Sequence, residues 1–405
     1  MSGRRRSAGL LLLALSLALL LAPATAAAQP APQGIEAKAW IVVDARDGAV
    51  LASHASERRL PIASTTKLMT AYVALKKLPL DKVVSAASYE PIYGESLLGL
   101  RAGERISVRD LLSGLILVSG NDAAHTLAVA AAGSEERFVG EMNRYAAALG
   151  LSGTHYANPI GLDAPGNFST ATDLATLARR LLRNRAFAEI ADSRTALLRS
   201  LRPPRRIDTL NDLLEMASWA TGVKTGHTFD AGYVLVGSGE KRGVGLVSVA
   251  IGDPTEESRF LDNLELLEWG FSQYRQRLPI RAGADLADPE IRWSGGHLPL
   301  RAERSLQVGL RQGQEVELRV DAPDEVEGPL RRGARLGRAT VFVDGRRVGS
   351  VGLRGSRSVP EASLFDRARG TVADNSIPIA IAVFVILMSA VMLFRRLARR
   401  KDFRS

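Results

Sequence analysis

The amino-acid sequence predicts an α/β chain of the α+β kind, with one antiparallel sheet built from both ends of a domain and a helical subdomain between them. Three observations predict it. The stretch AKAWIVVDARDGAVLASH holds two apolar runs around an Arg46-Asp47-Gly48 turn, the pattern of a hairpin. From about Ser107 to Asn184 apolar residues recur at helical spacing, as in VRDLLSGLILVSGNDAAHTLAVAAA and TATDLATLARRLLRN. Near Gly222 strands return: AGYVLVGSGEKRGVGLVSVAIGD reads as two apolar strands about a polar turn, and EESRFLDNLELLEWGFSQY as a closing helix. Strands at both ends of a segment with helices between them form one sheet most simply by pairing the ends.

Taken in order, the chain opens with MSGRRRSAGLLLLALSLALLLAPATAAAQP. Arg4 to Arg6 supply a positive n-region, Leu10 to Leu21 an apolar h-region, and Ala26-Ala27-Ala28 the small residues of a cleavage site. Residues 1–28 are therefore expected to be a secretory signal peptide. The hairpin follows, then LPIASTTKLMTAYVALKKL. There, Leu68, Met69, Tyr72, Val73 and Leu75 mark one helical face behind a start made by Pro61, Ser64, Thr65 and Thr66. The helical region and the second set of strands complete a domain expected over 29–275.

Beyond Tyr274 the long helical patterns stop. SLQVGLRQGQEVELRV alternates apolar and polar residues, and ATVFVDGRRVGSVGL alternates around Asp344-Gly345, a strong hairpin signal. A small all-β domain is expected over 278–360, then a juxtamembrane linker over 361–376. Ile377 to Phe394 carries no charge over 18 residues, near the lower limit for a membrane-spanning helix. Arg395, Arg396, Arg399, Arg400 and Lys401 follow, and positive charge marks the cytoplasmic side. The expectation is an exported chain with a transmembrane helix at 377–394 and a basic cytoplasmic tail at 395–405.

Composition narrows the chemistry. The 405 residues include no cysteine, which rules out disulfides and thiolate zinc sites. The five histidines are scattered and show no His-Glu-x-x-His spacing, so no metal and no other cofactor is expected. The net charge of +10 comes largely from scattered arginines, without a long basic run carrying aromatics, which argues against nucleic acid as a partner.

Ser64 and Lys67 stand three residues apart, so on a helix they are neighbours. A buried lysine near the positive end of a helix has a lowered pKa, and its neutral amine can take the serine proton. The competing reading is a capping serine beside a solvated lysine. About one or two Ser-x-x-Lys matches are expected by composition in a chain of this length, so the pair alone decides nothing. Two further motifs follow. Ser119-Gly120-Asn121 lies between two apolar helical runs, and Lys224-Thr225-Gly226 leads into a hairpin. Each taken singly also fits an ordinary turn.

Together and in this order, the three motifs resemble the active-site set of penicillin-binding serine enzymes and serine β-lactamases. Gly120 in the middle motif, and the stretches PIASTTKLMTAYVAL, VSGNDAAHTLA, NPIGLDAPGNFSTATDLA and KTGHTFDAGYVLVGSG, look like the D-alanyl-D-alanine carboxypeptidases among the low-molecular-mass penicillin-binding proteins. The resemblance implies a β-lactamase/transpeptidase-like fold. It implies Ser64 as nucleophile, Lys67 as base and Ser119 as proton relay to the leaving amine. Asn121 would hold the substrate amide and Lys224 would supply positive charge. Thr225 and Thr228 would bind the terminal carboxylate, Gly226 would let the strand approach, and the backbone N–H groups of Ser64 and His227 would form an oxyanion hole.

The implied substrate is a peptidoglycan stem peptide ending in D-Ala-D-Ala, with β-lactams as covalent inhibitors. The sequence departs from the family pattern at Leu210, where a polar or basic residue commonly precedes the asparagine, at Thr221-Gly222 and at Phe168. A D,D-endopeptidase uses the same triplet and stays open. A β-lactamase is disfavoured by the lack of Glu-x-x-Leu-Asn between Asn121 and Lys224. An inactive wall-binding scaffold is disfavoured by the intact motifs.

Overall fold

The computed structural model describes residues 31–293, 295–367 and 376–401. The expected signal peptide, and part of the expected linker, lie outside the described residues. The first region begins with strands β1 (Ala39–Asp44) and β2 (Val50–His54), a 3₁₀ turn at Ala63–Thr66 and helix α1 (Lys67–Lys77). Strands β3 (Val83–Ser85) and β4 (Arg105–Ser107) form a small ribbon. Helices α2 (Val108–Leu117), α3 (Asn121–Ala132), α4 (Glu135–Ala148), α5 (Ala171–Leu182) and α6 (Arg185–Ala191) make the helical subdomain. A second ribbon, β5 (Thr195–Leu198) with β6 (Arg205–Asp208), and the short α7 (Leu213–Met216) lead to β7 (Ala220–Thr228), β8 (Gly232–Lys241), β9 (Val244–Asp253) and α8 (Glu256–Ser272).

The central sheet has the order β2-β1-β9-β8-β7, with antiparallel pairing throughout. The N-terminal hairpin therefore joins the C-terminal strands through β1 and β9, as the sequence pattern predicts. Side chains alternate across this sheet. Ile41 and Val43 of β1 and Val247, Val249 and Ile251 of β9 face the helical subdomain. Trp40, Val42, Leu246 and Ala250 face the other way, onto Phe260, Leu266 and Leu267 of α8. The period of two along each strand thus divides one sheet between two cores.

Four helix starts among the described residues are capped by local hydroxyls. Ser107 accepts from Asp110 N at the start of α2, Ser134 from Arg137 N at α4, and Thr170 from Asp173 N at α5. Thr255 and Ser258 form a reciprocal capping box at α8. The start of α1 differs: it continues from the 3₁₀ turn and no side chain caps it. The reading of Ser64 as a capping residue is thereby excluded, and its hydroxyl is left for Lys67.

The second region is all β. Strands β10 (Arg275–Ile280), β11 (Asp285–Ala287), β12 (Glu290–Ile291), β13 (Gly296–His297), β14 (Leu300–Ala302), β15 (Leu306–Leu310), β16 (Val316–Asp321), β17 (Glu325–Val326), β18 (Arg335–Val343) and β19 (Arg346–Gly355) follow one another. A five-stranded sheet has the order β11-β14-β19-β18-β16, and β18 and β19 form the hairpin at Asp344-Gly345. Asp344 takes a left-handed φ of 49° and Gly345 one of 74°, as a tight two-residue turn demands. Leu298, Leu300, Val308, Val341 and Leu353 close a separate core. This region is clamped to the first by Arg311, whose guanidinium reaches Asp44 at 2.7 Å and Asp47 at 2.6 Å.

Helix α9 (Ser376–Lys401) ends the described chain. Among the described residues no helix is long and apolar enough to cross a membrane. The span expected at 377–394 lies partly outside the residues whose side chains are described.

Candidate active site

Two contacts bring the three motifs together. The 3₁₀ turn carrying Ser64 packs against β7, which carries Lys224 to Thr228, and α1 packs against α3, whose first residue is Asn121. Glycine makes the first contact close. A Cβ on Gly226 would stand 3.1 Å from Ser64 N and 3.1 Å from Ala63 Cβ, so a side chain would push the strand off the turn. Gly161 is tighter still: a Cβ there would fall 2.1 Å from the Ala63 carbonyl oxygen and 3.0 Å from Ser64 Cα.

Lys67 is fully buried. Its Nζ lies 2.8 Å from Ser64 Oγ and donates to the Ile160 carbonyl at 2.5 Å. Burial removes water from the ammonium and lowers its pKa to about 7, while the charges of Glu95 and Asp122 pull the other way. The loop that supplies the Ile160 carbonyl is set by asparagines. Asn158 Oδ1 accepts from the N–H of Ile160 and of Gly161, and Asn158 Nδ2 and Asn167 Nδ2 both donate to the Leu162 carbonyl.

Lys224 is also buried, and its Nζ donates to the Thr225 carbonyl at 2.7 Å. Burial first, then the charges of Lys67 and Arg259, push its pKa well below the ordinary lysine range. The ammonium form of Lys224 is therefore disfavoured by these surroundings, because two amines and a guanidinium share one poorly solvated region.

Ser119 and Asn121 are both buried, at the junction of α2 and α3. Ser119 takes a left-handed φ of 58°, which turns the chain sharply between the helices. Gly120 is required there, since a Cβ would stand 2.9 Å from Leu98 N. The Asp122 carboxylate accepts from the N–H groups of Leu98, Gly99 and Leu100, which fastens the preceding loop to the start of α3. The same loop brings Glu95 to Asn121, whose Nδ2 donates to Glu95 Oε2 at 2.9 Å.

The far end of β7 holds the remaining residues. Thr225 is buried, Thr228 is half-buried and His227 is exposed. The His227 ring stacks on Tyr233 at 4.1 Å, and the Arg259 guanidinium lies over Tyr233 at 5.3 Å. Arg259, buried in α8, also donates to the Gly226 carbonyl at 3.4 Å. Thr228 Oγ1 donates to Asp163 Oδ1 at 2.7 Å, so this hydroxyl is already tied to the loop after Asn158.

The structure thus brings Ser64, Lys67 and Gly226 into contact, with Lys224 beside Lys67 and Asn121 joined to the same region through Glu95, while Ser119 lies at the neighbouring helix junction and Thr225, His227 and Thr228 continue along β7. Three residues the sequence reading did not place join them: Glu95, Asp163 and Arg259. No spacing marks Glu95 or Arg259. Asp163 has the signal of an acidic residue in a Gly- and Pro-rich loop, which alone does not point to β7. Among the described residues no group of histidines and carboxylates could hold a metal ion. A serine hydroxyl 2.8 Å from a desolvated amine, backed by a second amine, is equipped for nucleophilic attack on an acyl group.

Comparison with known proteins agrees with this geometry. Residues 24–255 match the family model for peptidase S11, D-alanyl-D-alanine carboxypeptidase. The D-alanyl-D-alanine carboxypeptidase DacC of Escherichia coli strain K12 is 34% identical over 369 residues, which cover 86% of this chain and 91% of that protein. The D-alanyl-D-alanine carboxypeptidase DacB2 of Mycobacterium tuberculosis is 37% identical over 251 residues, 60% of this chain and 84% of that protein. Penicillin binding protein 5 from Haemophilus influenzae superposes with a TM-score of 0.57 at 29% identity, covering 82% of this chain and all of that one.

Proposed function

Because the chain belongs to the peptidase S11 family and is a serine-type D-alanyl-D-alanine carboxypeptidase, we propose that it removes the terminal D-alanine of peptidoglycan stem peptides through an acyl-enzyme on Ser64. The observation that carries this reading is the Lys67 Nζ to Ser64 Oγ contact of 2.8 Å, made by an amine whose pKa is lowered to about 7.

Neutral Lys67 takes the Ser64 proton as Oγ attacks the carbonyl carbon of the D-Ala-D-Ala amide. The backbone N–H groups of Ser64 and His227 hold the oxyanion, with Gly226 allowing the approach. The C–N bond then breaks, and Ser119 gives its proton to the leaving amine while taking the one held by Lys67, so D-alanine departs as a neutral amine and Lys67 is neutral again. Water later attacks the ester and frees Ser64. Asn121 holds the substrate amide by hydrogen bonds. The arriving carboxylate favours the ammonium form of Lys224, which supplies the countercharge, while Thr225 and Thr228 complete its site, the Thr228 hydroxyl turning its proton from Asp163 to the substrate. Leu210, about half exposed, carries no charge. The same attack on a β-lactam carbonyl leaves the antibiotic bound to Ser64.

We assign residues 29–275 to the peptidase and 278–360 to a β-rich spacer. We place the active site outside the cytoplasmic membrane, after removal of residues 1–28. The uncharged run at 377–394, with the basic tail beyond it, would be the anchor. Fractionation of cells making the full chain or a chain ending at Gly370 tests the anchor: only the full chain should sediment with membranes.

Labelling with a fluorescent penicillin tests the site. One equivalent of adduct on the peptide containing Ser64, absent from Ser64→Ala, is the expected result. An adduct on another serine, or none on folded protein, would overturn it.

A further inference from the structure

The loop before α2 carries a carboxylate that the acylation scheme above does not use. Glu95 is half-buried, and its hydrogen-bond donors are neutral: the Tyr89 hydroxyl at 2.5 Å, Asn121 Nδ2 at 2.9 Å and the Ile92 N–H at 3.3 Å. Asp122, the other acid near Lys67, accepts four backbone N–H groups, from Leu98, Gly99, Leu100 and Ala123, and is spent on holding the loop. Glu95 is held in place from both sides, because Asn121 N donates to the Ser96 carbonyl at 2.8 Å.

A carboxylate oxygen only accepts, so the Asn121 nitrogen must be the atom that faces Glu95. Its amide oxygen is then turned away and can accept an N–H from a substrate peptide. Burial and the adjacent Glu95 push the Tyr89 phenol above its ordinary range, which keeps it a donor. The charged groups beside Lys67 are Glu95 on the loop and Asp122 on α3, which favour its ammonium, and the amine of Lys224 on β7, whose own charge is disfavoured by burial.

We propose that Glu95 is a positioning residue for acylation, which fixes the Asn121 amide and supplies the negative charge that stabilises the Lys67 ammonium formed when the amine takes the Ser64 proton. The proposal rests on Lys67 acting as the base. Removing the charge makes Lys67 a weaker base, so it stays neutral to lower pH while each neutral molecule reacts more slowly.

The test is the rate of acylation by a fluorescent penicillin from pH 5 to 9, for the full chain and three variants. Glu95→Gln keeps an acceptor for Asn121 and loses the charge. Its acid limb should move down by about half to one pH unit and its plateau fall several-fold. Glu95→Asp keeps the charge, and Tyr89→Phe removes only a neutral donor, so both limbs should stay within a few tenths of a unit of wild type. A wild-type limb near pH 7 that Glu95→Gln leaves in place would overturn the proposal alone. So would an equal shift in Tyr89→Phe. A wild type with no limb in this range would overturn the Lys67 reading and this proposal with it.

Discussion

Gly161→Ala should damage both stability and the nucleophile, by an amount that Gly150→Ala calibrates. Both glycines hold left-handed φ, +87° and +74°. An alanine in that region costs about 1 kcal/mol at either position. The space around them differs. Nothing lies within 4 Å of a Cβ on Gly150, whereas a Cβ on Gly161 would fall 2.1 Å from the Ala63 carbonyl oxygen and 2.6 Å from its carbon. Ordinary contact begins near 3.4 Å, so the two backbones must part by more than 1 Å.

Overpacking of that kind adds about 1–3 kcal/mol. The total for Gly161→Ala is then about 2–4 kcal/mol, or roughly 5–15 °C in Tm, against about 2–4 °C for Gly150→Ala. The movement would also separate Lys67 from the Ile160 carbonyl and from Ser64, which now sit at 2.5 and 2.8 Å. Penicillin acylation of Gly161→Ala should fall at least tenfold at a temperature where the protein is folded, while Gly150→Ala acylates at the wild-type rate. Equal melting temperatures and equal acylation rates for the two variants would refute the packing argument.

Further outcomes follow from the charges. Acylation needs neutral Lys67, so its rate should rise through about pH 7 and then level off, and Lys67→Ala should lose a factor of about 10²–10⁴ in stopped-flow or gel-based labelling. Arg311→Ala strands the nearly buried Asp44 carboxylate at the junction of the two regions, with the Tyr274 hydroxyl and Arg46 as its remaining side-chain partners. It should cost about 2–3 kcal/mol in thermal unfolding without slowing hydrolysis of a small soluble peptide. Asp253 is buried beside Asp262, and burial first, then that neighbour, raise its pKa from 3.8 to about 9. Across that window the folded state holds a proton that the unfolded chain has released, so stability falls as pH rises. Asp253→Asn removes this term, and its Tm should gain on wild type between pH 5 and pH 8; a constant difference would contradict it.

How far the sequence reached depended on how local each feature was. Ser64 and Lys67 were legible because one helical turn fixes their spacing, and the sheet because β1, β8 and β9 are short apolar runs bounded by turns, buried on both faces. The tight hairpin at Asp344-Gly345 was likewise written in two residues. Glu95 and Arg259 were not legible, because each reaches the site through tertiary contacts: Glu95 by a loop that Asp122 pins, Arg259 by a helix packed behind β8. The two-residue strands β12, β13 and β17, and the parallel pairing of β12 with β17, are too short to leave a period. The shift at Lys224 was not legible for a related reason. Residue type alone gives a cation, whereas burial beside Lys67 and Arg259 works against one.

The central claim is that Ser64, activated by Lys67, cleaves the D-Ala-D-Ala bond. It is tested most directly by measuring D-alanine released from an N-acylated peptide ending in D-Ala-D-Ala, using the full chain and its Ser64→Ala variant. Catalytic release by the wild type, falling to background in a variant with unchanged melting temperature, is the predicted result. Release that persists in folded Ser64→Ala, or a wild type that binds penicillin at Ser64 yet frees no D-alanine, would contradict it.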